Sequence, residues 1–112
     1  LWIVGTHASE NEARFDEIIH APMRLRICGL LRHVDRLDFS LLRDSLEVSD
    51  ATLSKHVKTL TSAGYVSFQK AVSAGRDDAR RVMWLSLTRD GRTAFDAHIR
   101  ALRDIADMPA KG

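Results

Sequence analysis

The sequence predicts a mainly α fold with one small β-hairpin, an α+β domain, and three observations carry that expectation. Apolar residues recur at helical spacing through most of the chain, the period changes to two in just two stretches, and a polar, glycine-containing loop joins those stretches. The 112 residues, 45% of them apolar, suffice for one core and not for two. No apolar run approaches the roughly 18–20 residues of a membrane helix. Leu1-Trp2-Ile3-Val4 is too short, and lacks the basic flank, for a signal peptide. Cys28 is the one cysteine, so no intrachain disulfide can form. Its apolar neighbours suggest a buried, reduced thiol, and a cytoplasmic protein without membrane contact is the expectation.

Taken in order, Ser9 to Glu12 has the capping-box form and opens a first helix carrying Phe15, Ile18 and Ile19. Pro22 interrupts it and suits the first turn of the next helix. Met23, Ile27, Leu30, Leu31 and Val34 then give one apolar stripe, ending near His33 to Asp35. Leu37-Asp38-Phe39 reads as short and extended. Ser40 can cap a third helix with Leu41, Leu42 and Leu46, and Glu47-Val48-Ser49 reads as a tight turn. A fourth helix follows, capped by Ser49 or Asp50, running through Leu53, Val57 and Leu60 and closed by Ala63-Gly64. Residues 65–70 and 81–87 alternate as two strands, with Met83 and Leu85 on one face and Trp84 on the other. Thr88 caps a last helix whose stripe is Phe95, Ile99, Leu102 and Ile105. A central unit over 20–88, flanked by segments 1–19 and 89–112, is the domain division this implies.

Charge adds a direction. Residues 1–54 hold six arginines against nine acidic groups, whereas residues 55–92 hold eight basic groups against three acidic ones, on a chain of net charge +2. A basic second half is what a localised phosphate-binding face produces. The order helix, short strand, helix, tight turn, helix, long-tipped hairpin is that of a winged helix–turn–helix. If Leu53, Val57 and Leu60 are buried, the free face of the fourth helix carries Thr52, Lys55, Thr59 and Ser62, with Ser54 and Lys58 beside them. Such a small, hydroxylic and basic face can enter a DNA major groove, although many exposed helices look alike. The hairpin tip decides between the two: it carries Arg76 and Arg80, with Arg81 at its end, and can cross phosphates toward the minor groove. Asp77 and Asp78 can pair with some of those arginines.

The stretches His20-Ala21-Pro22-Met23-Arg24-Leu25-Arg26-Ile27, Leu37-Asp38-Phe39, Leu53-Ser54-Lys55-His56-Val57, Ala63-Gly64-Tyr65-Val66 and Leu87-Thr88-Arg89-Asp90-Gly91-Arg92 resemble the winged-helix transcriptional regulators related to MarR and ArsR, above all the compact winged-helix DNA-binding subgroup. The resemblance spans about residues 20–103. It implies a bacterial-type regulator, a repressor more often than an activator, that binds a palindromic operator as a homodimer. It also implies Ser49, Asp50, Thr52, Ser54, Lys55, Lys58 and Thr59 as helix contacts, and Arg76, Arg80 and Arg81 as wing contacts. Asp50 departs from the uncharged residue common there, and serves as cap or as a reader of cytosine, the cap being favoured. Phe15, Ile18 and Ile19, with Phe95, Ile99, Leu102 and Ile105, form the expected dimer interface. A small-molecule effector is compatible with the resemblance, but no residue pattern identifies one.

Other classes fit less well. His7, His20, His33, His56 and His98 are scattered, with no zinc pair, phosphate loop or nucleophile elbow, so neither an enzyme nor a cofactor is expected. A metal-sensing repressor needs clustered ligands, whereas Asp96 and His98 fall on different helix faces. A winged helix serving protein interaction alone would carry apolar or acidic faces in place of the arginine-bearing tip.

Overall fold

In the computed structural model, residues 12–72 and 81–109 are described. They form α1 (Glu17–His20), α2 (Pro22–Arg32), β1 (Leu37–Asp38), α3 (Phe39–Leu46), α4 (Asp50–Ser62), β2 (Val66–Val72), β3 (Arg81–Leu87) and α5 (Arg89–Ala106). The architecture is the expected one, mostly helical with a small sheet. Ile19, Ile27, Cys28, Leu31, Leu42, Leu53, Leu60 and Leu85 are all at most 1% exposed, and they join α1, α2, α3, α4 and the sheet in one cluster. Each such aliphatic side chain contributes about 1.5–3 kcal/mol on burial, against about 1 kcal/mol net for a hydrogen bond. Apolar packing therefore sets how α3 and α4 lie across α2, and polar contacts adjust the result.

The beginning of the chain differs from the sequence reading. Residues 12–16 are not helical, and α1 starts at Glu17 with Asp16 as N-cap. The Asp16 Oδ1 accepts from the Ile18 and Ile19 amides at 2.9 and 3.1 Å. The donors upstream are committed elsewhere: Arg14 N–H reaches the Ala97 carbonyl at 3.0 Å and Asp16 N–H reaches His98 Nδ1 at 3.0 Å. A stretch whose amides bond to a distant helix cannot also continue a helix of its own. Ser9 lies outside the described residues. A smaller correction concerns α3, whose cap is Asp38 and not Ser40: the Ser40 amide donates to Asp38 Oδ1 at 2.9 Å.

The three strands form an antiparallel sheet in the order β1-β3-β2. Leu37 pairs with Leu85, Phe68 with Leu85, and Trp84 with both Asp38 and Gln69. Directly paired residues share a face, so Leu85 points to the core and Trp84 to the outer side. There the Arg36 guanidinium stacks over the indole at 4.0 Å. Helices α2 and α5 are tied by Arg32, which donates to both Asp96 oxygens at 2.9 and 3.1 Å.

Where α4 ends, Gly64 takes φ +81 at the C′ position, a left-handed conformation that glycine adopts without a Cβ clash. The chain turns there into β2. Thr88, arriving at the end of β3, closes the same corner. Its hydroxyl donates to the Gly64 carbonyl at 2.6 Å and accepts from the Gly91 amide at 2.9 Å, while its own N–H reaches the Tyr65 carbonyl at 2.9 Å.

Candidate nucleic-acid interface

Helix α4 presents two faces that do different work. Leu53, Val57 and Leu60, at helical spacing, are buried against the rest of the domain. Asp50, Thr52, Ser54, Lys55 and Lys58 are exposed, as is the cap Ser49, and Thr59 is half-buried. The structure thus gathers all seven sequence-predicted positions on one helix and its entry. Exposure does not leave every polar atom uncommitted. The Thr59 hydroxyl donates back to the Lys55 carbonyl at 3.2 Å, so it is satisfied within the helix.

The entry to α4 resolves the two candidate caps. Ser49, with extended backbone, accepts from the Thr52 amide at 3.1 Å, and its hydroxyl donates to Thr52 Oγ1 at 3.0 Å. The cap is therefore Ser49, and the favoured assignment of that role to Asp50 is corrected. Asp50 stands in the first turn, where its charge suits the positive end of the helix dipole, and it accepts from Arg43 Nη1 at 2.7 Å. Arg43 also bonds Asp44 at 3.0 Å. The carboxylate on the exposed face of α4 is thereby held beside a cation of α3. Sequence reasoning missed Arg43, whose only signal was its place one turn before the end of the preceding helix.

Beside α4 runs a cleft of about 240 Å³ between the helix and the strands. Phe39, Val57, Phe68 and Met83 form its apolar lining, with Ser54, Lys58 and Thr61 along the lip. The base of the hairpin is in place next to the exposed face of α4. Arg76 and Arg80 lie outside the described residues, and of Arg81 only the backbone, at the start of β3, is described.

A second polar cluster lies behind α4. His98 of α5 is completely buried, and its Nε2 is 3.3 Å from His20 Nδ1. Burial, then the neighbouring His20, holds its pKa below the ordinary histidine value, against a smaller opposing pull from Asp16. The Tyr65 hydroxyl donates to Asp16 Oδ2. Arg24 joins this cluster to α4, with Nε donating to the Ile18 carbonyl at 2.6 Å and Nη1 3.2 Å from His56 Nδ1. His56, on α4, is likewise held below its ordinary pKa by desolvation, with Arg24 and Lys55 adding to it. Cys28 is buried as expected, and its thiol pKa is pushed up to about 12, chiefly by desolvation.

The residues expected at a dimer interface are spread over three environments. Ile19 is 0% exposed and belongs to the chain's own core, which removes it from any partner-facing surface. Ile18 and Phe95 are half-buried and pack against that core. Ile99 and Leu102 are half-buried, while Phe15 and Ile105 are 43% and 54% exposed. The deeply buried positions of α5 are Gly91, Ala97, His98 and Ala101, so its large apolar stripe is turned partly away from the core. Asp96 and His98, considered as metal ligands, are engaged by Arg32 and by the Asp16 amide.

Fold and site together define a winged helix–turn–helix with an accessible, hydroxylic and basic second helix. The sequence profile of the winged helix DNA-binding domain family matches residues 23–106, and the chain belongs to that family. It is 30% identical over 83 residues to the uncharacterized protein MJ0432 of Methanocaldococcus jannaschii, covering 74% of this chain and 86% of that protein. A transcriptional regulator homologue from Pyrococcus horikoshii OT3 superposes with TM-score 0.75 at 22% identity, over 82% of this chain and 87% of that one. The protein TA0346 of Thermoplasma acidophilum superposes with TM-score 0.63 at 20% identity, over 82% of this chain and 93% of that one. Both solved structures share the fold.

Proposed function

We propose that the protein is a sequence-specific, double-stranded DNA-binding transcriptional regulator that binds a palindromic operator as a homodimer and represses by occluding polymerase. The observation that carries this reading is the outward face of α4, where Ser54, Lys55 and Lys58 stand exposed with no large apolar side chain among them. Lysines there reach phosphates and hydroxyls reach base edges, while the helix N-terminus offers amides to the backbone. Arg76, Arg80 and Arg81 of the wing hold the flanking phosphates. The half-covered stripe of Phe95, Ile99, Leu102 and Ile105, with Phe15, supports pairing through the segments 1–19 and 89–112.

The test is selection of binding duplexes from a random 30-base-pair pool, followed by titration of the selected duplex at several salt concentrations. Six to eight neutralised phosphates per dimer give a log–log slope of roughly −5 to −7. Lys55→Ala weakens binding and flattens the slope by about one per subunit without changing the melting temperature. A salt-independent response, or wild-type affinity in Lys55→Ala and Arg80→Ala alike, removes the reading.

A further inference from the structure

His98 holds the entry of the short helix α1, Arg24 holds its Ile18 carbonyl and also meets His56, and both histidines must be neutral for these contacts. His98 Nδ1 accepts the Asp16 amide at 3.0 Å, so that nitrogen carries no proton. The proton of neutral His98 then sits on Nε2 and points at His20 Nδ1, 3.3 Å away. Asp16 in turn caps α1 through Oδ1 and receives the Tyr65 hydroxyl on Oδ2. At the other end, Arg24 grips the Ile18 carbonyl and presents Nη1 to His56 Nδ1 at 3.2 Å. Arginine is always a donor, so this contact also requires His56 to accept. The Phe15 ring covers the histidine pair, its centroid 4.7 Å from that of His20 and 4.8 Å from that of His98.

We propose that His98 and Arg24 are positioning residues for the DNA-reading helix, forming a latch in which acid releases residues 12–20 and, through Arg24 and His56, loosens α4. This rests on the DNA-binding reading of α4 given above. Protonating His98 at Nδ1 sets a donor against the Asp16 amide, and protonating His56 sets a cation against Arg24. The charged and titratable groups facing His98 are Asp16 from the N-terminal segment and His20 from α1, and those facing His56 are Arg24 from α2 and Lys55 from α4, while the Tyr65 hydroxyl reaches Asp16. Among them only the Asp16 carboxylate favours a charged His98, and its two oxygens are occupied by the α1 amides and Tyr65.

The discriminating variant is His98→Asn, whose Oδ1 can accept the Asp16 amide as Nδ1 does but does not titrate. Hydrogen exchange of the 12–20 segment, corrected for intrinsic rate, is compared at pH 7.5 and pH 5.5. Wild type loses at least about threefold protection, because His98, held below its ordinary pKa by burial in the latched state, binds its proton more tightly in the released segment. His98→Asn loses less than about twofold. In parallel, affinity for the duplex selected at pH 7.5 falls at least about fivefold more in wild type than in His98→Asn. Arg24→Gln keeps the exchange response but loses this difference in affinity. Equal loss of protection in wild type and His98→Asn overturns the latch, and wild-type pH dependence of binding in Arg24→Gln overturns its transmission to α4. Failure to select any duplex overturns the DNA-binding reading, and the exchange ratio still decides the latch.

Discussion

Helices α4 and α5 begin with the same chemistry and end in opposite situations. Each has a hydroxyl N-cap in extended backbone, Ser49 and Thr88, accepting the amide three residues on, and each carries an aspartate in its first turn, Asp50 and Asp90. The first turn of α5 is locked in. Gly91 is buried, and a Cβ there would run into the Tyr65 carbonyl, while the Thr88 hydroxyl is spent twice, on Gly64 and Gly91. The first turn of α4 is open: Ser49, Asp50, Ala51 and Thr52 are all exposed, and the Ser49 hydroxyl bonds only within its own turn. One cap anchors the corner of the fold and the other leaves a helix end presentable. The difference comes from what each helix meets beyond its own first turn.

The comparison can be broken first at its strongest point. Gly91→Ala forces a methyl against backbone that has nowhere to go and costs about 3 kcal/mol, whereas Thr52→Ala at the matching position of α4 costs under about 1 kcal/mol. Urea unfolding of the two variants checks this, and equal losses would mean that the α5 corner yields. Next come the caps. Thr88→Ala loses the cap and the bond to Gly64 and costs roughly 2 kcal/mol, and Ser49→Ala costs about 1 kcal/mol. Ser49→Ala alone is expected to weaken duplex binding beyond its effect on stability.

A titration sharpens the contrast from the other side. His98 and His56 both have depressed pKa values, so the folded state disfavours their protonated forms. The unfolded chain then binds more protons, and stability falls as pH drops below the unfolded histidine value of about 6.5, levelling off below the folded values. Thermal unfolding between pH 8 and pH 5 reads this, and a flat profile in that window contradicts it. The smallest effect concerns the entry to α4. Glu47 has φ 55, a left-handed conformation that is strained for a residue with a Cβ. Glu47→Gly should raise stability by about 0.5 kcal/mol, seen as a melting point higher by a few degrees.

What could be read from sequence follows the same division between local and distant. Gly64 and Thr88 were legible because closure, cap and first turn sit within a few residues of each other, whereas the sequence left Ser49 and Asp50 both open as the cap of α4. The stripe of Leu53, Val57 and Leu60 was legible because burial on a helix repeats. The start of α1 was not, because the Ser9 box is as good locally as the Asp16 cap, and the decision rests on bonds from Arg14 and Asp16 to Ala97 and His98. Nor does periodicity separate Ile18 from Ile19, adjacent residues of which just one is fully enclosed. At the site, exposure of the lysines was foreseeable, but the pairing of Asp50 with Arg43 and the link from Arg24 to His56 depend on how neighbouring helices cross.

The corner at Thr88 has a mechanical consequence. The exit of α4, the foot of the hairpin and the start of α5 are pinned by hydrogen bonds from one residue and its immediate neighbours. Helix α5 then extends 18 residues, about 27 Å, from that pin. It is a lever arm whose fulcrum is shared by α4 and the hairpin. Asp96, about two turns along it, is gripped by Arg32, so the arm is braced to α2 between that pin and its far end near Ile105.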